Sequence, residues 1–178
     1  MASWCVSVWW RPEFQRGKMT FKNFSTLVAD TLPHIQELMP WDVQALQQEK
    51  PQTLLIDIRE QAEFDAAHIA GSLLVPRGIL ESACDWGYAD TVPALATARD
   101  QPVVLVCRSG NRTALAALTL QQMGFTAVYS MKTGVRGWND YELPLFDANH
   151  QAVDIELADA LLNPPLRPEQ MPPKKAAG

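Results

Sequence analysis

The residues best suited to chemistry stand six in a row: Cys107, Arg108, Ser109, Gly110, Asn111 and Arg112. A cysteine reacts as its thiolate, so its surroundings decide whether it is a nucleophile. An apolar run, Pro102–Val106, leads straight into Cys107, and an Ala- and Leu-rich stretch, Arg112–Met123, follows the loop. A strand therefore delivers the cysteine, a short polar loop follows, and a helix begins at its end. The loop's backbone N–H groups can turn inward as an anion-binding nest. The helix start adds unpaired N–H groups and the positive end of its dipole. Arg108 and Arg112 add full charge, and Gly110 permits a backbone conformation that a Cβ resists. These features favour thiolate over thiol and predict an exposed nucleophile in a pocket suited to anions. A structural cysteine needs apolar neighbours, and this one is followed by five polar or glycine residues.

The elements that must position this loop are legible around it. Asn23 or Ser25 can cap a short helix carrying Leu27, Val28 and Leu32, which Pro33 ends. Residues 34–39 read as extended, and Pro40 opens a helix that Pro51 closes. Thr53–Ile58 is a nearly continuous apolar run, the pattern of a strand buried on both faces. Glu60–Ala66 reads as a short polar helix, Ser72–Val75 as a strand, and 77–82 and Pro93–Ala98 as brief helices. The helix over Arg112–Met123 stops at Gly124. Ala127–Ser130 is the last strand, and a loop leads from it to Trp138. Strands alternating with helices predict an α/β fold: an open, mainly parallel sheet with helices on both faces. Sites in such sheets lie beyond the carboxyl ends of strands, where Asp57-Ile58-Arg59 and Cys107–Arg112 both fall.

The chain has 178 residues, room for one domain and tails. A formal net charge of −5 lacks the basic footprint of a general nucleic-acid binder. The three cysteines, Cys5, Cys84 and Cys107, are odd in number and form no CxxC pair. A disulfide framework and a structural zinc site are not expected, and a reducing compartment, the cytoplasm, is. No apolar run reaches the roughly 18–20 residues of a membrane span. Residues 1–18, with Trp4, Trp9 and Trp10, read as a flexible extension or as a partner or membrane-surface contact. Residues 19–147 form the expected domain, and 148–178 an amphipathic segment and a Pro-rich tail. In that segment Val153, Leu157 and Leu161 are spaced for one helix face that docks on the domain. NPPLRPEQMPPKKAAG is expected to be disordered, either a solvated tail or a docking peptide.

From about Leu38 to Leu145 the sequence resembles the rhodanese family. CRSGNR is similar to its active-site loop, with Cys107 at the sulfur-carrying position. LLIDIREQAEF, HIAGSLLVPRGILE and GFTAVYSMKTGVRGW resemble further family segments in the same order. Ala67 and Ala70 depart from the usual Gly and Pro, and Thr133 from the first of two usual glycines. The resemblance implies a rhodanese-like fold and a two-step sulfur transfer through a Cys107 persulfide. It implies a small anionic donor such as thiosulfate, a thiophilic acceptor (cyanide, a thiol or a protein), and no cofactor or metal. Arg112 would orient the loop or the donor, and Arg108 would either steer the donor or be merely solvated. Ser109, Gly110 and Asn111 would supply loop amides.

Asp57 and Arg59 are expected to shape the site through ion pairs rather than to take part. His68 reads as a packing residue, since a thiolate activated by a nest needs no base. Arg77 and Glu81, four apart, are placed to pair. Trp86 is either a pocket wall or a core or rim residue. Cys84 is expected to be inert rather than a resolving thiol. One rival is a phosphatase or arsenate reductase of the Cdc25-like branch, which resembles C-x5-R where this loop is C-x4-R. The other is a noncatalytic binding or sulfur-relay module, which typically lacks the cysteine or its loop.

Overall fold

Asn23 opens the regular structure by accepting a hydrogen bond from the Thr26 N–H at 2.8 Å, which caps the first helix. The computed structural model describes residues 21–172. The expected extension over residues 1–18, and the last six residues, lie outside the described residues. Five strands, β1 (Gln36–Leu38), β2 (Leu54–Asp57), β3 (Leu73–Leu74), β4 (Val103–Val106) and β5 (Val128–Met131), form one sheet in the order β1-β5-β4-β2-β3. Every pairing is parallel, with Leu54 opposite Val103 and Val103 opposite Val128. The helices are α1 (Phe24–Thr31), α2 (Pro40–Glu49), α3 (Gln61–Ala66), α4 (Leu80–Ala83), α5 (Pro93–Ala96), α6 (Asn111–Gln122), α7 (Gly134–Asp140) and α8 (Ile155–Leu162).

β4 is central and buried along its whole length, which is why its sequence is apolar without alternation. Successive strand residues point to opposite faces. Ile56, Val103, Leu105, Cys107 and Val128 therefore share one core with Leu80, Leu95, Ala116 and Leu120. Leu55, Val104, Val106 and Met131 share the other with Val43, Val135, Trp138, Ala158 and Leu162. The sheet is thus covered on both faces, as the alternating pattern predicts.

Two expectations need correction. The segment leading to Trp138 is the helix α7 rather than a loop, because Gly134 and Gly137 serve close packing and do not break it. In α8 the docked face is Ala158 and Leu162, while Leu157 and Leu161 are exposed. Small Ala158 lets α8 approach closely, and the Asp154 side chain caps its first turn by accepting from the Glu156 and Leu157 N–H groups. Residues 163–172, expected to be disordered, form exposed chain with one 3-10 turn at Pro168–Gln170. Among the described residues no helix is long and apolar enough to cross a membrane.

Candidate functional site

β4 ends at Val106, and Cys107 follows at the floor of the loop, only 1% exposed. The expected exposure of this thiol is therefore corrected: the polar residues after it fold over the strand end, and the sulfur stays on the core side. Its Sγ lies 3.7 Å from Thr113 Oγ1 in the first turn of α6. Thr113 Oγ1 donates to the Gly110 carbonyl at 2.7 Å and sits 2.8 Å from Ser130 Oγ on β5. Among the described residues, no backbone N–H from 108 to 113 donates to any protein group. Such a run of free donors suits an anion.

The turn after β5 holds the loop in this form. Val135 N–H donates to the Cys107 carbonyl at 2.8 Å and Arg136 N–H to the Arg108 carbonyl at 3.1 Å. Gly110 takes φ +86°, and a Cβ there would lie 3.2 Å from Met131 O and Thr133 N. Gly134, at φ +63°, leaves no room for a side chain, since a methyl would run into the Cys107 and Arg108 carbonyls. Thr133 beside it holds φ +66°, a strained region for a β-branched residue.

The arginines divide by role. Arg112 makes a two-pronged ion pair with Glu63 of α3. Burial opposes ionisation of Glu63, but the Arg112 hydrogen bonds and charge outweigh it and hold its carboxyl below the ordinary value. The Glu63 hydrogen bonds in turn raise Arg112 above its own ordinary value, against desolvation. Arg59 and Asp57 are wholly buried and paired at 2.7 Å. Arg59 also donates to the Ala67 carbonyl at 2.7 Å, tying the end of α3 to β2. Neither lies against the loop cysteine by any hydrogen bond. Arg108 is exposed and in no ion pair among the described residues.

A cavity of about 460 Å³ opens over the loop, lined by Phe24, Glu63, Arg108, Ser109, Asn111 and Arg112. Four of the six loop residues thus meet in one space, with Gly110 and Cys107 beneath. Sequence reasoning missed Thr113, Ser130, Glu63, Gly134 and Phe24. Thr113 alone had a local signal, three residues after the glycine at the helix start. His68 packs as expected, stacked 4.0 Å from Phe64 with its Nδ1 3.0 Å from the Phe64 carbonyl. Arg77 and Glu81 pair at 2.6 Å. Trp86 is a surface residue, 57% exposed, and Cys84 is fully buried. Among the described residues no group of three or more His, Cys, Asp or Glu could hold a metal ion.

A parallel sheet that hands a cysteine into a loop of unpaired amides defines an α/β protein whose loop suits an anion. Residues 40–141 match the Rhodanese-like domain, and the chain belongs to that family. It is 35% identical over 97 residues to the uncharacterized protein YibN of Escherichia coli, a match covering 54% of this chain and 62% of YibN. The match thus spans less than two thirds of that relative. A polysulfide-sulfur transferase homodimer from Wolinella succinogenes is 30% identical with a TM-score of 0.55, covering 72% of this chain and 90% of that one. A Rhodopseudomonas palustris protein of unknown function, described as a possible tyrosine phosphatase, is 27% identical with a TM-score of 0.64, covering 72% and 98%.

Proposed function

We propose that this chain is a sulfurtransferase that carries sulfane sulfur as a persulfide on Cys107, with residues 19–147 as the domain responsible. The observation that carries the reading is Cys107 Sγ at the floor of a loop whose amides have no partner among the described residues. The Cys107 thiolate attacks the outer sulfur of thiosulfate or a similar donor, the S–S bond breaks, and sulfite leaves with the electron pair. In the second step an acceptor attacks the outer sulfur of the persulfide, and the Cys107 thiolate leaves. This is covalent catalysis in two easier steps. The free amides of residues 108–113 offer hydrogen bonds to the anionic persulfide and to the charge developing in both steps. Arg112 fixes the start of α6 against Glu63, and Arg108 at the rim draws in the donor. Asp57 and Arg59 act from behind, by holding α3 in place. A thiol that must stay free suits a reducing compartment such as the cytoplasm.

The test is intact mass spectrometry of reduced protein after thiosulfate, beside Cys107→Ser. A gain of about 32 Da, one sulfur atom, that cyanide reverses and the variant lacks is the expected result. No gain from thiosulfate or from an organic persulfide would overturn the reading. The likeness to the R. palustris protein keeps a second reading in view, a phosphatase. Four residues separate Cys107 from Arg112, which favours a single transferable sulfur over bulkier phosphate. Turnover of an aryl phosphate without any sulfur loading would reverse that preference.

A further inference from the structure

The space around the loop is much larger than thiosulfate, an ion of five heavy atoms, requires. Beside the cavity over the loop lie two more, of about 320 and 170 Å³, and Arg108 lines all three. Together they reach the size range that accommodates organic ligands. The extra walls come from the end of α8 and the residues after it: Leu161, Leu162, Asn163 and Pro164. These residues lie beyond the 40–141 stretch that matches the family.

Its charge points one way. The smallest cavity has Arg108 and Arg136 in its wall and no carboxylate. Both arginines are exposed, and neither has an ion pair among the described residues. They are neighbours because Arg136 N–H bonds to the Arg108 carbonyl. Arg136 Nη1 donates only a long 3.5 Å bond, to Asn163 Oδ1, and Asn163 is turned by donating to Asp159 at 2.7 Å. Leu162 and Pro164 supply an apolar part of the same wall. A guanidinium is the side chain that matches a carboxylate best.

We propose that the cleft of Arg108, Arg136, Leu162 and Pro164 binds the carboxylates of a small organic thiol that accepts sulfur from Cys107. The inference rests on the sulfur-transfer reading and names its acceptor class. The carbon chain lies along Leu162 and Pro164, and the sulfur enters over Ser109. The acceptor thiolate attacks the outer sulfur of the Cys107 persulfide, the S–S bond breaks, Cys107 leaves as the thiolate, and the acceptor departs as its own persulfide. No oxidant or reductant is consumed.

The test uses full-length protein loaded with thiosulfate, desalted, and checked for the added sulfur by mass. Single-turnover sulfur loss is then followed with glutathione, which carries two carboxylates, and with its diethyl ester, which carries none. Glutathione is expected to react about five- to tenfold faster than the ester, the effect of one or two exposed charge-assisted contacts. The advantage shrinks with added salt. Arg136→Ala brings the two rates together, and Arg136→Lys restores part of the difference. Equal rates in the native protein, or a ratio that Arg136→Ala leaves intact, overturn this acceptor site while leaving the persulfide reading standing. Failure to load any sulfur overturns both.

Discussion

Arg112 and Glu63 stand 49 residues apart and meet through two parallel hydrogen bonds, Nη1 to Oε2 at 3.0 Å and Nη2 to Oε1 at 2.8 Å. The pair joins the first turn of α6 to α3 and closes one side of the cavity over the loop. Arg112 is thereby committed to a carboxylate rather than free to grip a donor. Glu63→Gln should release that charge toward an incoming anion. Steady-state assays with thiosulfate should show KM falling several-fold with a smaller change in kcat. A rise in KM would mean that the pairing itself, and not the charge, serves the donor. Arg112→Ala should lose both anchor and charge and slow persulfide formation at least about tenfold; unchanged kinetics would sink its assigned role.

The same pair sets a pH dependence. The ordinary value for the Glu63 carboxyl is 4.5, and in the folded protein it is lower. As pH falls the unfolded chain therefore takes up the proton first, so stability decreases with acid through this window. Wild type should exceed Glu63→Gln in urea midpoint by a constant margin above pH about 4.5. The margin should then vanish as pH drops through the lowered value. Both side chains are one-third exposed, so the margin should stay within about 1 kcal/mol. A margin that grows on acidification would contradict the pairing.

Asp57 and Arg59 make the stronger structural claim, because both are buried. Arg59→Met leaves the Asp57 charge uncompensated and should cost about 3–5 kcal/mol by denaturant titration. The double change Asp57→Leu with Arg59→Met should cost less than the single one, since it removes both charges. If the double variant is as unstable as the sum of the singles, the coupling between the two is absent.

The fold was legible because its signals are local. Asn23 and Pro40 mark helix starts, PVVLV is a buried strand, and Gly124 ends α6. The misreadings concern partners that only folding brings together. Glu63 carries no hint that its cation sits beyond two further strands. Leu157 and Leu161 have the right spacing for a docked face, yet α8 buries Ala158 and Leu162 because α7 can approach a small residue more closely. The polar residues after Cys107 suggest exposure, but their groups face the cavity while strand alternation keeps the sulfur in the core. The segment before Trp138 reads as a loop from sequence, whereas it is α7, and its Gly134 is the point where that helix touches the loop backbone.

Cys84 shares that core but not the loop. Burial pushes its thiol up to about 12, with Arg99 only partly offsetting the effect. At pH 8 only about one molecule in ten thousand holds it as the reactive thiolate. Peptide mapping after brief native alkylation at pH 8 should find Cys84 unmodified, and thiosulfate sulfur should map to the Cys107 peptide alone. Sulfur on Cys84 would show that it takes part in a relay.

Thr133 and Gly134 hold adjacent left-handed conformations directly beneath the loop, with opposite consequences for substitution. Thr133 occupies this region against the preference of a β-branched residue, and its hydroxyl bonds back to the Lys132 carbonyl. The left-handed conformation costs a residue with a Cβ about 1–2 kcal/mol, and glycine gives back part of that as unfolded-state entropy. Thr133→Gly should therefore raise stability by up to about 1 kcal/mol. Gly134→Ala should do the reverse, because its methyl meets the carbonyls of Cys107 and Arg108 with no flexible atom to yield. The loop must move off α7, breaking the bonds from Val135 and Arg136 that orient it. Gly134→Ala should lose sulfur loading by mass spectrometry, even at a temperature where circular dichroism shows the variant folded. Normal loading in a folded Gly134→Ala protein would show that the loop amides do not depend on α7 for their orientation.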